Sequence, residues 1–204
     1  MAKKHKWFMI SLVILPLFLM VGCEEFGKVD QGRVIEFNKE KNLCTIIREV
    51  GTDPQNPSYS YLPPIVYELP SNPAEMGPEP KAGLRMKLDA TNRQIVIFDP
   101  ATQNFKTINY TLIDQKENVN KEDPLVFDKE LKQPKKFPVV DREKKTITVY
   151  SGKQKILVTF SLPGEYFALP DYTWDAGDEV RIYYKQEGKA LRFMNISKTD
   201  IYKK

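Results

Sequence analysis

Short runs of apolar and β-branched residues recur along most of this chain, and polar or proline-rich segments separate them. Runs of this kind, bounded by Gly, Pro, Asn and Asp, are typical of β-strands. No segment shows the sustained 3.6-residue periodicity of an amphipathic helix. The one candidate helix, residues 116–131, has few apolar residues and is interrupted by Pro124. The pattern therefore predicts an all-β fold.

The predicted strands fall into two groups. A polar turn at residues 38–42 joins the first two strands into a hairpin, and proline-rich loops occupy residues 51–64 and 70–80. We expect residues 115–136 to form an irregular, charged linker. The predicted strands of the first group are residues 33–37, 43–50, 65–69, 84–88, 94–98 and 105–113, and those of the second group are residues 137–140, 146–150, 155–162, 180–182 and 198–202.

The second group repeats features of the first in the same order, which indicates a diverged internal repeat of about 70–85 residues. Six segments of the first group each match one of the second: residues 34–37 with 137–140, 43–47 with 146–150, Leu69-Pro70 with Leu162-Pro163, Ala82-Gly83 with Ala176-Gly177, 86–88 with 180–182, and 106–110 with 198–202. Small sheets usually close to hide their edges. We therefore expect two tandem barrel-like modules resembling OB or SH3-like folds, at residues 32–114 and 137–204. One continuous β-sandwich is the alternative.

The N-terminal segment predicts where the protein works. Three lysines precede an apolar run at residues 7–21, and Gly22-Cys23 and acidic residues follow at once. This layout is typical of a secretory signal. The run is shorter than the roughly 20 residues of a membrane span and contains Pro16, which disfavours a transmembrane helix. An ordinary signal that leaves Cys23 as a thiol is a second alternative.

The ending Leu19-Met20-Val21-Gly22-Cys23 resembles the lipobox of bacterial lipoproteins, where signal peptidase II cuts before a lipid-modified cysteine. The resemblance implies removal of residues 1–22, acyl chains on Cys23 and a polar tether over residues 23–31. Two acyl chains are enough for stable anchoring. We expect a protein anchored to a bacterial membrane in the cell envelope, facing the periplasm or the exterior.

Composition excludes several functions for the mature chain. Removal of the signal would take away three lysines and no acidic residue, so the formal net charge of the chain would fall from +4 to +1. A nearly neutral protein has no overall electrostatic attraction for nucleic acid. The only histidine, His5, lies in the same signal and would be removed with it. This excludes histidine-based triads and histidine metal sites in the mature chain. Cys44 then has no intrachain disulfide partner, and its apolar surroundings predict burial.

Residues 32–41 are similar to the opening of a cold-shock domain. That resemblance implies a barrel hairpin. In that family a strand rich in glycine and phenylalanine follows and stacks nucleic-acid bases, whereas residues 42–46 of this chain contain no aromatic residue. Because the stacking platform is missing, we carry over the hairpin and not nucleic-acid binding.

Residues 162–178 form the most aromatic connection in the chain. Its four aromatic side chains are Tyr166, Phe167, Tyr172 and Trp174. They could complete a thin core or form a binding surface for a sugar or a protein partner, and the small size of the modules favours the core. The nearby acidic residues, Asp171, Asp175, Asp178 and Glu179, could collect a cation but do not follow an EF-hand spacing. We predict no metal site and no cofactor.

These features predict a non-enzymatic binding or scaffold lipoprotein with an envelope protein as its partner. The alternative is a carbohydrate-binding or carbohydrate-cleaving envelope protein that uses the 162–178 loop. Acidic residues are abundant enough to supply the carboxylate pair of a glycosidase. No residue is assigned a catalytic role.

Overall fold

A computed structural model describes residues 26–51 and 58–199. The predicted all-β fold class is confirmed: the described regular structure is antiparallel strand, with three short 3-10 helices at Pro73–Glu75, Gly164–Ala168 and Asp171–Trp174. The strands form several small open sheets, and none of the described sheets closes into a barrel. The apolar faces are hidden by stacking of the sheets rather than by closure of each sheet on itself.

A five-stranded sheet, here called the large sheet, has the order β14-β13-β1-β2-β3. All of its neighbouring strands are antiparallel. Its strands are β1 (Lys28–Asn38), β2 (Leu43–Glu49), β3 (Tyr59–Glu68), β13 (Glu179–Tyr184) and β14 (Ala190–Asn195).

Three smaller sheets contain the remaining strands. The four-stranded sheet has the order β10-β11-β12-β7, the three-stranded sheet the order β4-β5-β6, and β8 pairs with β9. Their strands are β4 (Arg85–Asp89), β5 (Gln94–Asp99), β6 (Asn104–Asn109), β7 (Thr111–Lys116), β8 (Phe127–Asp128), β9 (Gln133–Pro134), β10 (Val139–Asp141), β11 (Thr146–Ser151) and β12 (Ile156–Ser161).

The sheets cross the predicted module boundaries. Strand β13, from the second predicted module, pairs with β1 of the first over Lys28–Arg33. Strand β7, from the first module and the predicted linker, pairs with β12 of the second. Tandem modules would have kept these strands apart. Because β13 pairs with β1 and β7 pairs with β12, both β1 and β12 have hydrogen-bonding partners on each of their two edges. Fewer strand edges are therefore left open.

The matched Ala-Gly pairs of the two halves meet in space. Gly83 N donates to Val34 O at 3.0 Å, and Val34 N donates to Asp178 O at 2.9 Å. A Cβ atom on Gly83 would overlap the backbone of Gly177, and one on Gly177 would overlap Val34 O. The two halves therefore join at a tight backbone contact that requires glycine on both sides.

The core consists of three clusters. The three-stranded sheet packs one face on the four-stranded sheet, through side chains that include Ile95, Ile108, Ile147 and Phe160. Its other face contacts the large sheet through Met86, Phe98, Ile35 and Ile47. The opposite face of the large sheet buries Val34, Cys44, Tyr67 and Phe193 against Met76 and Ala82 of the 70–82 loop. The three-stranded sheet thus lies between the other two.

Several predicted boundaries are wrong. The predicted tether ends at residue 31, but β1 begins at Lys28 because β13 pairs with it there. The loop predicted up to residue 64 contains most of β3, an edge strand, where prolines such as Pro63 and Pro64 are tolerated. The predicted strand 105–113 divides into β6 and β7, which join different sheets.

The predicted linker and the last predicted strand also differ from the structure. Residues 117–135 are mostly turns but are held to the four-stranded sheet, since Val119 is buried and its backbone N donates to Lys155 O at 2.8 Å. The strand predicted at residues 198–202 lies mainly outside the described residues, and β14 occupies Ala190–Asn195 instead.

The prediction that Cys44 is buried is confirmed. Its side chain has no solvent exposure and lies in the core of the large sheet. Burial raises the pKa of the Cys44 thiol to about 12, because the thiolate would lose its hydration there. The thiol is therefore unreactive in the folded protein.

Candidate functional site

The 162–178 loop is fixed firmly on the sheets beneath it. Each of its two 3-10 helices ends in a backbone hydrogen bond, from Leu169 N to Tyr166 O and from Asp175 N to Tyr172 O, both at 3.2 Å. The Nε of the buried Arg85 donates to Trp174 O at 2.9 Å. Because its backbone is tied at these points, the loop forms a defined surface.

Arg142 of the β10–β11 turn holds the outer side of the same loop. Its Nε donates to Phe167 O at 3.2 Å, and its Nη2 lies 2.6 Å from the carboxylate of Asp171. The guanidinium therefore ties both 3-10 helices to the four-stranded sheet.

The four predicted aromatic residues divide into two pairs. Trp174 is fully buried and Phe167 almost so, and both belong to the core between the three- and four-stranded sheets. Tyr166 is half-buried and meets the Trp174 ring edge-on, with ring centroids 6.5 Å apart. Tyr172 is 46% exposed. The loop therefore completes a core, as the sequence favours, and also presents two tyrosines to solvent.

The two tyrosines line a groove of about 400 Å³ between the loop and the β5–β6 turn. The remaining lining comes from Leu84 just before β4, from β5, the β5–β6 turn and β6, and from the loop itself. The lining residues are Leu84, Ile97, Phe98, Asp99, Pro100, Ala101, Lys106, Glu165, Tyr166, Leu169, Pro170, Tyr172 and Thr173. Most of this surface is carbon, with few polar groups.

One of the polar groups has no partner within the described part of the chain. Thr173 is only 2% exposed, and its Oγ1 atom makes no hydrogen bond there. A buried hydroxyl without a partner costs on the order of 1–3 kcal/mol. Thr173 lines the groove, but its Oγ1 is buried, so a ligand does not reach this hydroxyl in the groove as it stands.

Lys106 adds a positive charge at the edge of the groove. Its ammonium lies 4.8 Å from the centroid of the Tyr166 ring, within the range of a cation–π interaction. Glu165 and Asp99 also line the groove. The rim is therefore charged while the floor is apolar.

The acidic residues of the loop region do not converge. Asp171 pairs with Arg142, and Asp175 pairs with Lys81. Asp178 accepts from Lys81 N and from Asn195 Nδ2, each at 2.8 Å. No group of three or more potential ligands from His, Cys, Asp and Glu occurs within residues 26–51 and 58–199. Asp171 instead contacts the β10–β11 turn, while Asp175 and Asp178 both contact Lys81.

Two carboxylates approach one another on the large sheet. The Gln31 amide donates to Glu49 at 2.9 Å and to Glu179 at 3.0 Å, while its oxygen accepts from Arg181 at 2.9 Å. Burial, and then the charge of Glu179, raise the pKa of Glu49. Neither carboxylate lines the groove. A sugar held by the tyrosines would therefore not be placed against this pair.

Part of the site could not be found from the sequence. Cys23, the predicted lipid attachment point, lies outside the described residues. Thr173 has no sequence signal beyond its place between Tyr172 and Trp174. Lys106 and Pro100 reach the groove only because the three-stranded sheet packs beside the loop.

Comparison with other proteins gives one match. No curated protein and no solved structure matches the chain. In the described ranges, 26–51 and 58–199, no helix is both long and apolar enough to cross a membrane. A family model matches residues 25–204, which include every strand and the whole groove. The chain therefore belongs to the family described as a domain of unknown function, DUF4881.

Proposed function

We propose that this protein is a lipid-anchored binding protein of the bacterial envelope, without catalytic activity, and that its groove receives an extended segment of another envelope protein. The observation that carries the proposal is the groove itself. It combines an exposed Tyr172 and a half-buried Tyr166 over an apolar floor.

The lining favours a peptide over a sugar. A saccharide displays many hydroxyl groups, and each needs a hydrogen-bond partner when it leaves water. The groove offers few polar groups, among them the rim charges of Lys106, Glu165 and Asp99. An apolar side chain of a peptide would fill the floor. Aromatic anchors in apolar pockets supply much of the energy of protein interfaces.

Hydrogen bonds hold one wall of the groove in place. Arg142 and Arg85 hold the loop from two sides, as the hydrogen bonds above show. A site that needs little rearrangement loses less entropy on binding. We therefore expect the partner segment to become ordered while the groove keeps its shape.

The anchor proposed at Cys23 would bring the groove close to possible partners. Two acyl chains would hold the protein at the membrane, close to other envelope proteins. The nearly neutral mature chain and its lack of histidine support binding rather than nucleic-acid recognition or histidine-based catalysis. Stacking of a glycan on Tyr166 and Tyr172 is the competing hypothesis.

Site-specific crosslinking in cells tests the proposal. A photoreactive side chain replaces Tyr172, and a second strain carries it at Leu125, which is equally exposed at 46% but lies outside the groove. We expect crosslinks to an envelope protein from position 172, and mass spectrometry should place them beside an apolar residue of the partner. The peptide identified in this way should bind the purified protein, and Tyr172→Ala should weaken that binding by about tenfold or more.

Three outcomes would contradict the proposal. Crosslinks to glycan fragments would support the sugar hypothesis instead. Equal crosslinking from positions 172 and 125 would show that the groove has no special partner. An identified peptide that binds Tyr172→Ala as tightly as wild type would place the binding site elsewhere.

A further inference from the structure

One end of the large sheet carries apolar side chains that no other part of the described chain covers. Phe26 is 96% exposed, Val29 56% and Leu191 46%, and Tyr183 is exposed beside them. These four residues and Arg192 are here called the tether face.

The tether face is continuous. Val29 and Tyr183 are directly opposite one another in the β1–β13 pair, and Arg192 is opposite Tyr183 in the β13–β14 pair. Tyr183, Leu191 and Arg192 line a shallow recess of about 590 Å³ together with Glu75. Apolar and aromatic side chains therefore lie side by side, with a basic residue at the border.

The incoming chain is fixed at the same place. A Cβ atom on Gly27 would overlap the Tyr183 ring, so the backbone at Gly27 lies directly on this tyrosine. Gly27 is four positions after Cys23, with three residues between them. Four fully extended steps of the chain span at most about 14 Å. If Cys23 is acylated, the backbone at Gly27 therefore lies within about 14 Å of the acylated cysteine.

We infer that the tether face lies against the lipid bilayer that holds Cys23, as a peripheral membrane contact; this inference rests on the lipid anchor of the proposed function. The chemistry of the face fits the interface. Aromatic side chains and aliphatic side chains bordered by arginine or lysine settle about 5–10 Å into the boundary between headgroups and acyl chains. Arg181 and Arg192 are exposed at this border, but Arg181 donates to Gln31 and Arg192 pairs with Glu75, so the membrane contact rests on the apolar and aromatic side chains.

The contact would orient the whole protein. A single acylated cysteine does not by itself fix the orientation of a protein over the membrane. A second contact through Phe26, Val29 and Tyr183 fixes the large sheet relative to the bilayer, and the groove with it. The groove would then face a constant direction, which suits capture of a partner in the same membrane.

Fluorescence quenching in vesicles tests the inference. The full-length protein is extracted from membranes with its acyl chains, and its intact mass is measured. Tyr183→Trp and the control Tyr172→Trp are then reconstituted in vesicles of phosphatidylethanolamine and phosphatidylglycerol that contain phospholipid brominated near the glycerol end of its chains. The native Trp174 is fully buried and gives both variants the same background.

We expect bromine to reduce the fluorescence of the indole introduced at position 183 by at least about twofold, and that of the indole at position 172 very little. Unquenched fluorescence at position 183 in protein of acylated mass would overturn the membrane contact while the anchor survives. Equal quenching at both positions would overturn the assigned face. A mass without acyl chains would refute the proposed anchor, and the membrane contact would fall with it.

Discussion

Two loops at corresponding places in the predicted repeat have different roles. The first, residues 70–82, follows Leu69 and leads to Gly83. The second, residues 163–176, follows Leu162 and leads to Gly177. Each starts with proline, contains 3-10 helix and ends at the shared glycine contact. Their side chains, however, are attached to the sheets by different forces.

The first loop is held by backbone and charge. Gly77 N donates to Phe193 O at 2.9 Å, and Glu75 pairs with Arg192 at 2.6 Å. Its 3-10 helix has no buried residue, and half-buried Met76 is its main apolar contact with the large sheet. This loop covers a sheet that is already well packed.

The second loop has an ion pair of its own, between Asp171 and Arg142, but aromatic burial distinguishes it from the first loop. Phe167 and Trp174 complete the core between two sheets, and Tyr166 and Tyr172 remain over the groove. The comparison teaches that two loops matched in sequence position can differ in role because of their aromatic content. The second loop contributes both stability and a candidate binding surface. The first loop covers one face of the large sheet.

Replacing Trp174 should give the largest effect. The side chain is fully enclosed, and truncation of buried tryptophan to alanine typically costs about 3–5 kcal/mol. Trp174→Ala should therefore lose that much unfolding free energy in urea, or fail to fold. Met76→Ala, the matched change in the first loop, should cost about 1 kcal/mol because Met76 is only half-buried. Equal losses would abolish the contrast between the loops.

The glycine contact gives the next largest effect. Gly177 has φ +68°, and an added Cβ would overlap Val34 O. Gly188 has a similar φ of +78°, but its nearest such contact is Val66 O at 3.5 Å. Gly188→Ala should cost about 1 kcal/mol for the left-handed backbone alone. Gly177→Ala should cost about 2–4 kcal/mol, since overpacking adds to the strain.

Thermal melts of the two alanine variants separate these contributions. Gly83→Ala provides a third variant, because its Cβ would overlap Gly177 N and Asp175 O without a left-handed φ. It should be destabilised by the overpacking cost alone, about 1–3 kcal/mol. If Gly177→Ala had the same melting temperature as Gly188→Ala, the two halves would not meet as tightly as the backbone contact indicates.

The sequence predicted local structure well and long-range pairing poorly. Alternating patterns located β2, β5 and β11, and the burial of Cys44 and Trp174 followed from their surroundings. The pairing of β1 with β13 has no local signal, because both strands would look the same beside another partner. The missed β14 alternates weakly, with Leu191 and Arg192 both exposed.

The candidate site shows the same limit. The aromatic content of the 162–178 loop is visible in the sequence, but its division into core and groove depends on packing. Tyr166 and Phe167 are adjacent, and only the 3-10 geometry sends one toward the groove and the other into the core. Proximity of Lys106 to Tyr166 likewise arises from the packing of β6 beside the loop.

The smallest predicted effect concerns the charge that holds the first loop. The hydrogen bond from Arg192 is the main cause that lowers the pKa of Glu75. A lowered folded pKa means that the contribution is present above the pKa of free glutamate and is lost as the pH falls through the folded pKa. Because the pair is exposed, solvent screens it, and no change in the melting temperature is expected near neutral pH. NMR titration is therefore the measurement to use.

In Arg192→Ala, the pKa of Glu75 should return to the usual range of glutamate. Asp89 is the internal control: hydrogen bonds from Asn92 lower its pKa to about 2, and Arg192 does not contribute. Its titration should be identical in wild type and variant. If Glu75 of the wild-type protein titrated like free glutamate, the first loop would be held by the Gly77–Phe193 backbone contact and Met76 alone. The two loops would then differ in another way. The first would be held mainly by a backbone contact, and the second by its buried aromatic side chains.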